Sequence, residues 1–128
     1  MAAAWAVMHY LGNEGYLRVT AAARQACLQL AGAIAAIPAL TIRARPQTTL
    51  LAFGAADEAH LDVFAVAAEL WKRGWYVDRQ GPPPSLHCTV SSVHLGKIDD
   101  FVADLRASVD EALASAQRGL QGAYGTVE

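Results

Sequence analysis

Two histidines and a cysteine lie close together in this sequence and are the residue types most able to carry chemistry. His87 and Cys88 are adjacent, and His94 follows in the same stretch. Imidazole and thiolate groups bind zinc, and an imidazole can also transfer protons near neutral pH. However, neighbouring residues of a strand point to opposite faces of a sheet, so His87 and Cys88 are poorly placed to share one ion. We therefore expect no metal site.

His87 is the strongest candidate for a functional side chain. It follows the three prolines Pro82–Pro84, which lack an N–H and have a fixed φ, and which predict a stiff extended arm. The alternation over Leu86–Val93 predicts a strand with His87 on its polar face. Such a position suits contact with a ligand or a partner domain, and Arg79 could reach an anionic substrate or an acidic partner from beside the arm. The alternative is a surface loop, with a solvated Arg79 and a His87 that is hydrogen-bonded at a domain interface.

Lysine chemistry is not expected on this chain. It has two lysines, Lys72 and Lys97. The sequence places Lys72 in the last turn of an amphipathic helix and Lys97 in a turn, and neither setting removes the amine from water. Spacing also supports no Ser–His–Asp arrangement. We therefore expect no catalytic residue and no covalently bound cofactor on this chain.

The bulk composition describes one globular domain, residues 1–128. A chain of 128 residues has the usual size of a single domain, and 54% of its residues are hydrophobic. The net charge of −2 and the dispersed arginines argue against nucleic-acid binding. No apolar stretch is long enough to span a bilayer. Two cysteines without metal-binding or disulfide spacing indicate reduced thiols and a cytoplasmic location.

Hydrophobic periodicity predicts an α+β fold. Gly12 separates two N-terminal helices, Asp57 is a suitable N-cap for a third, and Gly74 is a suitable residue to follow its end. The order of elements favours a two-layer sandwich, a small and mainly antiparallel sheet with helices on one face. The predicted elements are helices over 2–11 and 14–36, strands over 40–45 and 48–53, a helix from 57 to 73, strands over 75–78 and 86–93, and a final helix over 98–117. The buried stripes predicted for the last three helices run from Tyr16 through Val19 to Ile37, from Leu61 to Trp71, and from Ile98 to Leu113. Alternation over 40–45 places Arg43 on the outward side of its strand, and the more apolar strand 48–53 is predicted to be more central.

The first predicted helix, Ala2–Leu11, is apolar almost all round, with His9 as its clear polar exception. A helix of that kind is normally buried on every side. A small domain cannot easily bury it at its own N-terminus. We therefore expect this helix to dock on a further domain or to mediate oligomerisation.

Several motifs, in order along nearly the whole chain, resemble one enzyme family. They resemble the C-terminal domain of the sphingosine-1-phosphate lyase-like enzymes, within the pyridoxal-phosphate-dependent decarboxylases and lyases of the aspartate-aminotransferase fold type. The motifs are Ala2–Ala6, Leu11–Tyr16, Arg73–Trp75, Pro83–His87, His94 and Gly122–Gly125.

This resemblance implies the C-terminal small domain of a fold-type I enzyme, with residues 1–13 docking on a large domain that binds pyridoxal phosphate. The family's cofactor lysine would lie upstream of Met1, so this chain should not catalyse alone. The complete enzyme would be a homodimer that cleaves a phosphorylated long-chain amino-alcohol by a retro-aldol step into an aldehyde and phosphoethanolamine. His87 and Arg79 would be candidates for the wall of its substrate cleft.

Two alternatives stay open from the sequence. Related amino-acid decarboxylases often carry an arginine where His87 stands, and an arginine suits a substrate carboxylate. A histidine there fits the lyase better, although a decarboxylase domain is not excluded. The chain could instead be a stand-alone, non-catalytic α+β binding module, or a separately encoded small subunit that pairs with a cofactor-bearing chain.

Overall fold

A computed structural model describes the backbone of residues 1–124 and the side chains of residues 1–117. The predicted α+β class is confirmed: three α-helices accompany one four-stranded antiparallel sheet. The elements are α1 (Ala2–Ala35), β1 (Leu40–Ile42), β2 (Leu50–Ala55), α2 (Val63–Lys72), β3 (Asp78–Gln80), β4 (Ser85–Thr89), a 3-10 helix (Ser92–Lys97) and α3 (Ile98–Tyr124).

The sheet has the strand order β1-β2-β4-β3, so the more apolar strand β2 is central, as its composition predicted. The register places Phe53 beside Leu86 and Leu51 beside Cys88, and these residues face the helices. Because side chains alternate along a strand, Ala52 and His87 lie on the other face, which no helix covers. The exposed side chains of Leu50, His87 and Thr89 mark this helix-free face.

The core lies between the sheet and the three helices. In α3 the predicted stripe is confirmed at Ile98, Phe101, Leu105 and Val109, which are all buried. The largest side chains with almost no exposed surface come from every layer, and they are Phe53, Ile34, Leu70, Leu86 and Leu105.

The start of α2 differs from the prediction. Its N-cap is Asp62, whose carboxylate accepts the N–H of Phe64, whereas Asp57 was expected to open the helix. Asp57 instead accepts the N–H of Ala59 and contacts Nδ1 of His60, so it closes a local turn. Both carboxylates satisfy the same local rule, and burial of Val63 and the residues that follow it decides where the helix begins.

This shift also changes which face of α2 is buried. The predicted stripe included Trp71, but Trp71 is 65% exposed. The face that packs on the core consists of Val63, Val66, Ala67 and Leu70.

The proline segment is a turn and not an extended arm. Antiparallel pairing of Gln80 with Ser85 closes residues 81–84 into the loop of a hairpin between β3 and β4. The strands are also shorter than predicted: β3 begins at Asp78 instead of Trp75, and β4 ends at Thr89 instead of Val93. The fixed φ of proline is compatible with both shapes, so only the strand pairing decides between them.

Helix α1 bends at Gly12, where φ is 59° and ψ is −176°, so the predicted break is confirmed. Its first core residue is Ala23, and the core stripe continues through Cys27, Leu30 and Ile34. The predicted stripe was too long at its start, since Tyr16 and Val19 are exposed. In the part of the chain described, no helix combines the length and apolar character needed to cross a membrane.

Candidate functional site on the helix-free face of the sheet

His87 occupies the middle of the helix-free face. It lies between Ala52 of β2 and Asp78 of β3 in the register, and it is exposed. Its Nε2 is 3.2 Å from the hydroxyl oxygen of Ser85, two residues earlier on the same face. That hydroxyl also lies 3.4 Å from the carbonyl oxygen of Gln80. A buried serine thus holds one ring nitrogen of an exposed histidine, and the ring can present its other nitrogen to a ligand.

The surface beside His87 is shallow because its neighbours on β2 are small. Continuation of the strand register puts Ala52 opposite His87 and Gly54 opposite Ser85. The backbone N–H of Arg43 donates to the carbonyl of Ala52, which brings Arg43 to the same face. The helix-free face therefore has small residues, Ala52 and Gly54, beside two polar groups, the Arg43 guanidinium and the His87 imidazole.

The Arg43 side chain crosses this face. Its Nη2 donates to Oε1 of Glu58 at 2.6 Å and to the carbonyl oxygen of Pro84 at 2.7 Å. Its Nε is buried without a hydrogen-bond partner among the described residues. Sequence reasoning placed Arg43 on the outward side of a strand but found no role for it. Gly54 inside an apolar strand was the available signal, since glycine there often marks a close approach.

Arg79 does not share this site with His87. It pairs with Leu86, whose side chain points into the helical layer, whereas His87 points to the helix-free face. Arg79 lines a groove beside α2 together with Trp71 and Tyr76. The two candidates of the sequence analysis therefore belong to opposite faces of the sheet.

A cleft of about 260 Å³ opens where β3 separates from the end of β4, and His87, Cys88 and His94 line it. Burial raises the pKa of the Cys88 thiol to about 12, with smaller contributions from Cys27 and Asp78. Cys88 is therefore protonated at neutral pH and is unsuited to act as a nucleophile. Nδ1 of His94 accepts the N–H of Ser91, so His94 caps the 3-10 helix that precedes α3.

No side chain of the described residues fits a covalently bound pyridoxal phosphate. Lys72 is 66% exposed and lies 2.6 Å from Oε1 of Glu69. Lys97 is 65% exposed and lies 3.4 Å from Asp100. A lysine that forms a Schiff base needs a desolvated amine, and both of these amines are solvated and paired with carboxylates. Within the described residues, no three His, Cys, Asp or Glu side chains cluster in a way that could hold a metal ion.

Comparison with known proteins relates this chain to one enzyme family. It is 34% identical over 128 residues to the sphingosine-1-phosphate lyase of Arabidopsis thaliana, covering 98% of this chain. It is 32% identical over 115 residues to the sphingosine-1-phosphate lyase of Oryza sativa subsp. japonica. The solved sphingosine-1-phosphate lyase of Burkholderia pseudomallei superposes over 94% of the chain with a TM-score of 0.81 and 29% identity. This chain is homologous, over nearly its whole length, to the C-terminal region of sphingosine-1-phosphate lyase-like enzymes.

The chain spans only part of these relatives: 23% of the Arabidopsis protein and 27% of the Burkholderia structure. It matches the C-terminal region of the fold-type I enzymes, as the motifs suggested. A more distant structure, the glycine decarboxylase P-protein, shares the fold with a TM-score of 0.67 at 17% identity over 79% of this chain. No protein-family model matches the sequence. The Gly122–Gly125 motif lies outside the residues whose side chains are described.

Proposed function

We propose that this chain is the C-terminal small domain of a pyridoxal-phosphate-dependent carbon–carbon lyase. The complete enzyme would cleave a phosphorylated long-chain amino-alcohol by a retro-aldol step into an aldehyde and phosphoethanolamine. It would act as a homodimer in the cytoplasm, with pyridoxal phosphate bound by a large domain on the same polypeptide or on a partner chain. The observation that carries the proposal is the 34% identity to a sphingosine-1-phosphate lyase across 98% of this chain.

The two lysines support the proposal that the cofactor is bound by the large domain and not by this chain. Both are exposed and ion-paired, so neither offers the desolvated amine that the cofactor requires. In this proposal the chain is inactive alone. It contributes one wall of the cleft through its helix-free face, where His87 would meet the substrate.

The N-terminal part of α1 supports docking on a large domain. Trp5, Met8 and Tyr10 are 61%, 52% and 89% exposed, and Leu17 farther along the helix is 70% exposed. An exposed apolar surface of this kind marks an interaction site in soluble proteins. We propose that residues 1–13 pack on the large domain and thereby set its position relative to the helix-free face.

His87 favours the lyase over a decarboxylase of the same family. A substrate carboxylate would be best held by the two parallel N–H donors of an arginine, which an imidazole cannot supply. Arg43, the nearby guanidinium on this face, already donates to Glu58 and Pro84. A stand-alone binding module, the other alternative, leaves the exposed apolar surface of α1 without a purpose.

A chimeric enzyme tests the proposal directly. The C-terminal region of the Burkholderia pseudomallei enzyme that aligns with this chain is replaced by this chain. Release of the aldehyde from a phosphorylated long-chain amino-alcohol is then measured for the chimera and for the isolated chain. We expect activity from the chimera and none from the isolated chain. A folded chimera that binds pyridoxal phosphate and cleaves no such substrate would contradict the proposed function.

Two histidine variants of the chimera test the role of His87. His87→Ala is expected to lower kcat/KM by about 10–100-fold, the loss typical of one positioned polar group. His60→Ala is the matched control, since His60 is exposed in a separate loop and paired with Asp57. Equal activity of the two variants would remove His87 from the site.

A further inference from the structure

We propose that Arg43 is a positioning residue that holds His87 on the helix-free face. This inference rests on the proposed function, because it assigns Arg43 to the wall of the same site. One nitrogen atom of Arg43 makes two hydrogen bonds that link separate parts of the chain. Nη2 of Arg43 joins Glu58, which precedes α2, to the carbonyl of Pro84, the last residue of the β3–β4 turn.

Gly54 of β2 lets the guanidinium reach this position because it has no side chain. A Cβ on Gly54 would lie 2.6 Å from Nε and 2.7 Å from Cζ of Arg43, closer than side chains approach each other in proteins. The guanidinium therefore lies directly against the backbone of the strand. This contact also accounts for the burial of Nε away from any partner.

Pro84 and Ser85 connect Arg43 to His87. The carbonyl that Arg43 binds belongs to the peptide bond between Pro84 and Ser85. Fixing this peptide fixes the buried Ser85 side chain, whose hydroxyl lies 3.2 Å from Nε2 of His87. Arg43 thus controls the orientation of an exposed imidazole that it does not touch.

The test measures the side-chain rotamer of His87 by NMR in the full chain of 128 residues. Three-bond couplings across χ1 report whether the ring occupies one staggered well or several. We expect one dominant rotamer in the wild type. Arg43→Gln removes the cation, and Gly54→Ala displaces it without deleting it. In both variants we expect the couplings to move toward an average over the staggered wells.

Two further variants separate this role from general destabilisation. Arg43→Lys should retain most of the wild-type coupling pattern, because one ammonium can bind both acceptors of Nη2. Arg45→Gln is the matched control, since Arg45 is an exposed arginine two positions away. Backbone amide shifts around Leu105, in the core of α3, verify that each variant remains folded.

The proposal is overturned if Arg43→Gln and Gly54→Ala stay folded and keep the wild-type His87 couplings. It is also overturned if Arg43→Lys shows the same averaging as Arg43→Gln. Neither result depends on catalysis. A folded chimera that binds pyridoxal phosphate but is inactive would contradict the proposed function. If the couplings of the chain followed the expected pattern, the positioning of His87 by Arg43 would still stand.

Discussion

The two halves of helix α1 have similar apolar content but opposite surroundings. Before Ala23, the large apolar side chains Trp5, Met8 and Leu17 are exposed. After it, Cys27, Leu30 and Ile34 are buried against the sheet and α3. The second half has an apolar stripe and a polar side, whereas Ala2–Leu11, at the start of the first half, is apolar nearly all round. The difference indicates that the second half serves the core of this domain and that the first half serves a surface outside it.

The largest contrast between the halves should appear in thiol reactivity. Burial raises the pKa of Cys27, in the packed half, whereas a cysteine introduced by Val7→Cys would lie in the exposed half. At pH 8 we expect iodoacetamide to label position 7 at least about 10³-fold faster than Cys27, since the latter reacts after unfolding. Mass spectrometry over time measures both rates. Comparable rates would show that the second half is not stably packed.

Burial of the Cys88 thiol in β4 makes the stability of the domain depend on pH, with a defined sign. The pKa of Cys88 rises from 9.0 in the unfolded chain to about 12 in the folded one, so the folded state retains its proton at alkaline pH. Stability from this group is complete below pH 9.0 and is lost as the pH rises toward about 12. Cys88→Ser should flatten this decline in denaturant unfolding.

Truncation of a β-branched side chain should be costly in one half and nearly neutral in the other. Ile34 is fully buried, so Ile34→Ala is expected to lower the free energy of unfolding by about 2–5 kcal/mol. Val7 is 49% exposed, so Val7→Ala should change it by less than about 0.5 kcal/mol. Urea denaturation of the isolated chain measures both changes. A cost at Val7 equal to that at Ile34 would mean that the first half is packed in solution.

In the chimera, the loss of unfolding free energy caused by Val7→Ala should be closer to the loss caused by Ile34→Ala. If residues 1–13 dock on the large domain, Val7→Ala removes about two buried carbons, each contributing roughly 0.8 kcal/mol. We therefore expect it to destabilise the chimera by about 1–2 kcal/mol while leaving the isolated chain unaffected. Denaturant unfolding of both proteins measures the difference. An unchanged chimera would argue against docking through this surface.

The smallest effects should come from the two glycines on either side of Ala23. Gly32 lies in the helix with nothing within 4 Å of an added Cβ, so Gly32→Ala should stabilise the domain by about 0.5–1 kcal/mol. Gly12 has a φ of 59°, which an alanine avoids, so Gly12→Ala should straighten the bend. Since the first half is unpacked, this change should raise the far-UV helical signal without changing unfolding by more than about 0.5 kcal/mol. Loss of core stability in Gly12→Ala would contradict the comparison.

Local patterns correctly predicted the features that depend on a few neighbouring residues. The bend at Gly12, the alternation around His87 and the stripe of α3 from Ile98 to Val109 all follow from helix and strand periodicity. The exposure of Ala2–Leu11 was likewise foreseeable, since a helix without a polar face has no stable place on a small domain.

The incorrect predictions occurred where two local solutions were equally good. Asp57 and Asp62 are both able to cap a helix, and only the burial of Val63 and its neighbours selects Asp62. The prolines allow an arm or a turn, and pairing of Gln80 with Ser85 selects the turn. Arg79 is close to His87 in sequence, yet strand pairing sends the two side chains to opposite faces, and a place for Arg79 in the cleft wall stays a prediction.

The sequence by itself determined the class of the fold, the order of its elements and the enzyme family that the chain resembles. These features depend on periodicity and on motifs carried by contiguous residues. Only the tertiary structure decided that Arg43 reaches Pro84, 41 positions away, across the backbone of Gly54. The physical reason is that strand order and register are set by burial summed over the whole sheet. Strand order and register decide which distant residues come into contact, and such contacts produce no local pattern in the sequence.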